Sequence, residues 1–284
     1  MGGDYFLLVL GVIWIIFASV QDIRKREVAN WLNFSLIAFA LAYKAFESVN
    51  TGSWNIFLLG IAGFAIFFVF GNLLYYARAF GGGDAKLLFG MGALLPYTNF
   101  YGLFFLSGFF IFILFFVGAI YTLIYSFFIM IKRKEKFVKE FKNYLGSKVF
   151  IAAGVAAAVV FFFGATLFES YFFGAMGAIF VLFILFLYIY LKSVDKCMAV
   201  LVNPGKLTEG DWIVGDIRIG REWIRKNVHG LSIEDIMKLK RARKKVLIKE
   251  GVPFVPSFLI AFLIMVFFYL VLGSGFLRFL AFLF

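Results

Sequence analysis

The chain has 284 residues, of which 63% are hydrophobic, 21% aromatic and only 15% charged. Soluble domains average about half apolar and about a quarter charged residues, so this composition excludes a soluble globular protein and indicates an integral membrane protein. The formal net charge of +12 is compatible with nucleic-acid binding, but the positions of the charges favour a basic membrane face instead.

Eight apolar segments approach the length of about 20 residues that a membrane-spanning helix needs. The first begins near Tyr5 and has neither a basic leader nor a small-residue cleavage site, so we expect a retained span rather than a cleaved signal peptide. The predicted fold is an all-α polytopic membrane protein with about eight spans, or six plus an inserted hairpin, and a small cytoplasmic α+β module. The predicted spans are 5–20, 32–48, 55–76, 85–97, 101–131, 148–167, 171–191 and 254–273.

Basic residues concentrate in the loops on one side of these spans. Only Lys44 and Arg278 lie elsewhere, so 26 of the 28 Lys and Arg residues are on that side. Because cytoplasmic loops carry the excess of Lys and Arg, this side is predicted to be cytoplasmic, with both termini outside the plasma membrane. A basic face beside anionic lipid accounts for the net charge, and no nucleic-acid partner is predicted. The cytoplasmic segments are 21–31, 77–84, 132–147 and 192–253, with Lys86 and Lys148 at their edges.

The composition divides the chain into four parts. Residues 1–131 are predicted to form a catalytic membrane bundle, and residues 132–192 a basic amphipathic segment with an additional membrane hairpin. Residues 193–253 are predicted to form the α+β module, and residues 254–284 the last span. The basic stretch 132–147 has apolar residues at near-helical spacing, which predicts a helix on the membrane surface or an extension of the fifth span.

The α+β module has recognisable strand, turn and helix signals. Residues 198–202, 212–214 and 217–219 are predicted strands, and a helix is predicted from Ser232 to Ile248. Within this module Asp211, Asp216 and Glu222 are candidate contacts for a cationic partner segment.

The chain contains one cysteine, Cys197, and one histidine, His229. These counts exclude an intramolecular disulfide framework and a Cys/His zinc cluster. Cys197 lies at a membrane boundary without the signature of a catalytic Cys–His pair. We interpret His229 as a turn or surface residue.

Two aspartates lie at span boundaries on the predicted cytoplasmic side. Asp22 follows the first span, and Asp84 ends a run of three glycines before the fourth. Singly, Asp84 is explained equally well as the N-cap of the fourth span, and Asp22 as a solvated charge paired with Arg24 or Arg26. Together they indicate a functional site, because an ionisable group that faces the bundle at a span boundary marks function by default.

Two carboxylates held close together have a defined chemistry. They cannot both ionise easily, so one retains a proton. The ionised group activates water for attack on a peptide carbonyl, and the protonated group polarises that carbonyl and later protonates the leaving amine. Gly81, Gly82 and Gly83 allow a close approach to their backbone, which predicts a shelf where an extended peptide binds through main-chain hydrogen bonds.

The residues around both aspartates resemble the GxGD family of intramembrane aspartyl proteases, and within it the archaeal preflagellin and type IV prepilin peptidases. The residues that carry the resemblance are Asp22-Ile23-Arg24 with Val28-Ala29-Asn30, the run Gly81-Gly82-Gly83-Asp84-Ala85-Lys86-Leu87, and the last-span entry 252–258. The resemblance implies that Asp22 and Asp84 are the catalytic pair. It also implies cleavage of the basic class III signal peptide of archaellin or pilin-like precursors, at the cytoplasmic face and without a metal or organic cofactor.

The chain departs from the family pattern in several places. Ala29 stands where bacterial members usually have proline, and the paired-cysteine methyltransferase region of bacterial members has no counterpart. Smaller archaeal members have six spans, so spans six and seven with residues 132–147 are interpreted as an insertion. Two other functions remain open: a transporter or channel with Asp22 and Asp84 as ion or proton ligands, and a non-catalytic assembly protein in which both aspartates tolerate Asn.

Overall fold

The computed structural model describes residues 2–146, 148–220, 222–227 and 230–272. His229 and Arg278 lie outside these ranges. In chain order the elements are α1 (Gly2–Lys25), α2 (Asn30–Thr51), α3 (Asn55–Tyr76), α4 (Gly82–Leu94), α5 (Phe100–Lys132), α6 (Lys134–Leu145), α7 (Lys148–Leu167), α8 (Tyr171–Cys197), β1 (Ala199–Val202), a 3-10 turn (Pro204–Lys206), β2 (Trp212–Ile213), β3 (Ile217–Ile219), β4 (Glu222–Ile224), α9 (Ile233–Arg241), β5 (Val246–Lys249) and α10 (Val255–Leu272).

Helices occupy all eight positions where spans were predicted. Six of those described are long and apolar enough to cross a membrane by themselves: α1, α2, α3, α5, α7 and α8. This confirms a polytopic helical membrane protein with a small α+β module. The other two helices are shorter. The described part of α10 is apolar over Val255–Val271, and α4 has 13 residues, or about 20 Å at 1.5 Å per residue.

The helices and strands group into two compact units. The first contains α1 to α4, α5 up to Leu123, and α10, while the second runs from Ile124 to Gly251. In the first unit α4 packs against α2 and α3, and α1 packs against α10. The two helices α3 and α4 come unusually close, because a Cβ on either Gly63 or Gly92 would clash with the backbone carbonyl of the other. Helix α4 is therefore an internal element of the bundle.

A buried lysine explains one exception to the charge pattern. Lys44 on α2 is 1% exposed, and its Nζ donates to the carbonyl oxygen of Leu95, just past the end of α4, at 2.7 Å. The same Nζ lies 4.8 Å from the ring centroid of Tyr97, whose hydroxyl is 3.1 Å from Ser107 Oγ. A cation is favourable at a helix C-terminus, where unpaired carbonyls and the negative end of the dipole meet. Lys44 thus caps α4 from inside the bundle.

The basic segment after α5 forms a separate helix. Arg133 has φ −125° and ψ 40°, which breaks the helical path between α5 and α6. The apolar face of α6 packs on α8, with Phe137 against Tyr190 and Phe141 against Phe186. The alternative of one continuous extension of the fifth span is therefore wrong, and the segment is an amphipathic helix.

The α+β module has a three-stranded sheet in the order β1-β5-β2 and a β3-β4 hairpin. The predicted strands are present with small changes at their ends, but β4 was not predicted. The predicted start of α9 is confirmed, because Ser232 Oγ accepts the amide of Asp235 at 3.1 Å. The predicted helix end at Ile248 is wrong. Helix α9 ends at Arg241, and Ile248 lies in β5 opposite Val200 and Ile213.

Three acidic side chains of the module already have partners within it. Asp211 Oδ2 accepts the amide of Thr208 at 2.8 Å, and Asp216 Oδ1 accepts the amide of Lys226 at 2.8 Å. Glu222 pairs with Lys238 at 2.8 Å and raises the pKa of that lysine. These bonds give all three side chains a structural role and lend no support to their binding a cationic segment.

Candidate active site

Asp22 lies in the last turn of α1 and is 6% exposed. Its Oδ2 accepts the backbone N–H of Val255, the first residue of α10, at 2.9 Å. The first amides of a helix lack partners within the helix, so a carboxylate is a favourable acceptor for them. Arg26 also acts on Asp22 electrostatically. The interpretation of Asp22 as a solvated surface charge is wrong, because burial and the bond from α10 fix it inside the bundle.

Asp84 lies in the first turn of α4 and is half-buried. The N-cap of α4 is Gly81, and Asp84 Oδ2 accepts the Gly81 N–H at 3.0 Å. The alternative in which Asp84 is itself the N-cap, bonding Lys86 or Leu87, is therefore wrong. Its carboxylate turns back toward the helix start, as the acidic residue of a capping box does.

The structure brings the two aspartates together at helix ends. Burial raises the pKa of the Asp84 carboxyl, and the negative charge of Asp22 raises it further. Helix α1 packs against both α4 and α10, the two helices whose N-terminal amides bond the carboxylates. A carboxylate offers about four acceptor positions. The backbone bonds from Val255 and Phe254 to Asp22, and from Gly81 to Asp84, therefore orient each group and leave capacity for water or a peptide. Two carboxyl groups of which one stays protonated are the groups that shared-proton catalysis uses.

The three glycines have different surroundings. Gly81 is extended, with φ −71° and ψ 163°, and its amide already bonds Asp84. Gly82 is exposed, and a Cβ there would come only within 3.8 Å of Tyr75. At Gly83 a Cβ would lie 3.4 Å from the amide of Val28, so this position serves close packing inside the bundle. The part of the predicted shelf that stays open lies around Gly82.

An aromatic anchor next to the glycine run was not predicted from sequence. Phe80 is buried, and its ring packs against Phe115, Phe254 and Phe258. Phe254 directly precedes Val255, which bonds Asp22. The segment before Asp84 and the entry to α10 are therefore held by one aromatic cluster. The available signal was a single aromatic residue between Arg78-Ala79 and the glycines.

The candidate site consists of carboxylates and backbone amides. Within the described ranges, no three or more His, Cys, Asp and Glu side chains lie close enough together to hold a metal ion. Cys197 is a buried free thiol in the second unit.

Residues 9–131 match the type IV leader peptidase family. The match confirms the resemblance over the part of the chain that contains both aspartates. The chain is 35% identical over 88 residues to the preflagellin peptidase of Methanococcus maripaludis, and 36% identical over 87 residues to that of Methanococcus voltae. It is 32% identical over 91 residues to the preflagellin peptidase of Methanocaldococcus jannaschii.

These alignments cover a limited part of each protein. They include 31%, 31% and 32% of this chain, and 38%, 37% and 38% of the three relatives, respectively. The chain therefore matches less than half the length of these preflagellin peptidases.

Proposed function

We propose that the protein is a membrane aspartyl endopeptidase with Asp22 and Asp84 as its catalytic pair. The observation that carries the proposal is the pair of carboxylates at the ends of two packed helices, each bonded by a backbone N–H, within the leader peptidase region. Its substrates are archaellin or pilin-like precursors, from which it removes the basic class III signal peptide at the cytoplasmic face. The similarity to preflagellin peptidases supports the substrate class.

The mechanism follows from a pair that holds one proton. The ionised carboxylate takes a proton from water as the water oxygen bonds to the scissile carbonyl carbon, while the other carboxyl donates a hydrogen bond to the carbonyl oxygen. The C–N bond of the tetrahedral intermediate then breaks, and the carboxyl that bonded the carbonyl oxygen gives its proton to the leaving amine. The pair again holds one proton, the one taken from water. The products are the leader with a new carboxyl group and the mature protein with a new amine. The order of proton loss belongs to the pair rather than to either residue.

The proposed substrate path places the extended peptide beside Gly82, with the precursor's hydrophobic stretch in lipid. Cleavage requires an unwound segment, because a helical peptide bond is covered by the helix's own hydrogen bonds. The cytoplasmic orientation of this site rests on the 26 basic residues of the predicted cytoplasmic segments. The transporter alternative expects ligands near the midplane, whereas Asp22 and Asp84 lie in the last turn of α1 and the first turn of α4.

The test is cleavage of an archaellin or pilin-like precursor by membranes that carry the wild type, Asp22→Asn or Asp84→Asn. Asp195→Asn is the matched control, because Asp195 pairs with Lys249 in the second unit. We expect the wild type and the control to shorten the precursor, and each variant of the pair to be inactive while inserting normally. Equal cleavage by all four proteins would refute the proposal.

A further inference from the structure

Two side-chain hydrogen bonds join the first turn of α2 to the first turn of α4. Lys86 Nζ donates to Asn30 Oδ1 at 2.6 Å, and Asn33 Nδ2 donates to the carbonyl oxygen of Gly83 at 3.4 Å. The two asparagines are three residues apart, and so are Gly83 and Lys86, so each pair lies on one face of its helix. We call Asn30, Asn33, Gly83 and Lys86 the α2–α4 clamp.

Two of the clamp residues, Gly83 and Lys86, lie on either side of Asp84 in the sequence. Asp84 lies between Gly83 and Lys86 in a single helical turn, so two bonds to α2 fix the turn on which its carboxylate stands. Val28, just before α2, belongs to the same contact between α2 and α4. Its atoms lie within van der Waals distance of where a Cβ on Gly83 would stand.

The start of α2 is also connected to the end of α1, where Asp22 lies. Arg26 has φ 59° and directly follows α1, so the chain turns sharply within four residues of Asp22. Gln21, the neighbour of Asp22, accepts the backbone N–H of Ala29 through Oε1 at 3.0 Å. Ala29 directly precedes Asn30, the first residue of α2. A short series of hydrogen bonds therefore runs from Gln21 through the start of α2 to the start of α4.

Burial of the Asn33 side-chain amide is energetically unfavourable, so a function is expected for this residue. It is 0% exposed, and its Oδ1 has no hydrogen-bond partner among the described residues. Buried amide groups in proteins are nearly always paired, and each exception calls for an explanation. An apolar side chain such as that of leucine would avoid this cost but would lose the bond to Gly83.

From these contacts we infer that Asn30, Asn33 and Lys86 are positioning residues that set the separation of the Asp22 and Asp84 carboxylates. The inference rests on the proposed function, for which that separation matters. The three side chains act through the backbone of the two turns and not on the substrate. Without the clamp the first turn of α4 shifts relative to α1, and one water no longer reaches both carboxylates in reactive geometry.

The experiment measures kcat and KM for precursor cleavage by the purified full chain, normalised to correctly inserted protein. The variants are Lys86→Met, Asn30→Ala, their double variant, and Asn33→Leu. Since a displacement of about 1 Å costs roughly 100-fold in rate, we expect each single variant to lower kcat by about that factor. KM should stay within about twofold of the wild type. The double variant should be no slower than the slower single one, because both changes remove the same bond.

Conservative and matched variants separate positioning from a general loss of structure. Lys86→Arg keeps a donor for Asn30 and should retain most of the activity. Asn72→Ala removes an amide on α3 that bonds its own helix at Phe68. Lys132→Met removes a lysine at the end of α5, so both variants should match the wild type. If Lys86→Met does not insert, Asn30→Ala tests the same bond.

The inference and the proposed function fail in different ways. Cleavage by Asp84→Asn at the wild-type rate would overturn the proposed function, and the inference with it. Loss of cleavage in Asp84→Asn together with an unchanged kcat in Lys86→Met and Asn33→Leu would overturn the inference alone. A raised KM with an unchanged kcat in those variants would also overturn it, because that result means that the side chains bind substrate.

Discussion

Asp22 and Asp84 are oriented in the same way, each by a backbone N–H at the start of a helix. Val255 opens α10 and bonds Asp22, while Gly81 precedes α4 and bonds Asp84. Bonds of this kind to a carboxylate are short and strong, and the positive end of the helix dipole adds to them. Both aspartates were predicted from their places at span boundaries. Val255 was not, because 233 residues separate it from Asp22 and no local pattern encodes that contact.

Val255→Pro removes one of the two backbone donors to Asp22, leaves that of Phe254, and leaves every charge in place. Proline suits the first turn of a helix, so we expect α10 to persist. A hydrogen bond to a charged group is worth about 1.5–3 kcal/mol, so cleavage should slow by roughly 10- to 100-fold. Val255→Ala keeps the N–H and is the control for the lost side chain. Equal rates for Val255→Pro and Val255→Ala in a precursor-cleavage assay would contradict this role.

Among the elements, α4 decides the geometry of the site. Its first turn contains Asp84, and Lys44 bonds the Leu95 carbonyl just past its end. Its residues from Leu87 to Leu94 are buried. The sequence predicted a short span here, but a helix that is apolar on all sides does not reveal whether lipid or protein covers it. The sequence also predicts a helix at Val246, within the predicted helix that runs from Ser232 to Ile248. Pairing with β1 and β2 makes it a strand, because tertiary contacts override local propensity.

Lys44→Met should destabilise the bundle at α4. The change removes the charged donor to the Leu95 carbonyl oxygen, which keeps only the Tyr97 N–H at 3.0 Å. A hydrogen bond to a charged group is worth about 1.5–3 kcal/mol. We expect a lower thermal unfolding midpoint in detergent and weaker cleavage. Lys142→Met, at an exposed position of α6, is the matched control and should behave like the wild type. An unchanged midpoint for Lys44→Met would mean that the lysine does not cap α4.

For the whole molecule, charge and apolar length together determined most of what the sequence could predict. The helices occupy the predicted positions, and Lys44, which broke the basic-side pattern, has a separate structural role. The packing of α10 against α1 and the joining of both to the glycine run through Phe80 were not predictable. Those contacts connect segments far apart in the chain, and they depend on side-chain shapes rather than on hydropathy.

Cysteine labelling tests the predicted orientation of the molecule. Cys197 is the only cysteine, so Cys197→Ser provides a background without thiols. In that background Thr51→Cys should react with a membrane-impermeant maleimide on intact cells, because Thr51 ends α2 on the side that is predicted to lie outside. Glu27→Cys should react only after the membrane is broken. Both positions are exposed in the structure. The reverse labelling pattern would place Asp22 and Asp84 on the outer face.

The most direct test of the account is cleavage by purified protein in liposomes, where no other membrane enzyme is present. An archaellin or pilin-like precursor is incubated with the wild type, Asp22→Asn or Asp84→Asn, and the product is identified by its new N-terminal sequence. The account predicts cleavage between the basic leader and the hydrophobic stretch by the wild type alone. Cleavage by either variant at the wild-type rate would contradict the assignment of Asp22 and Asp84 as the catalytic pair.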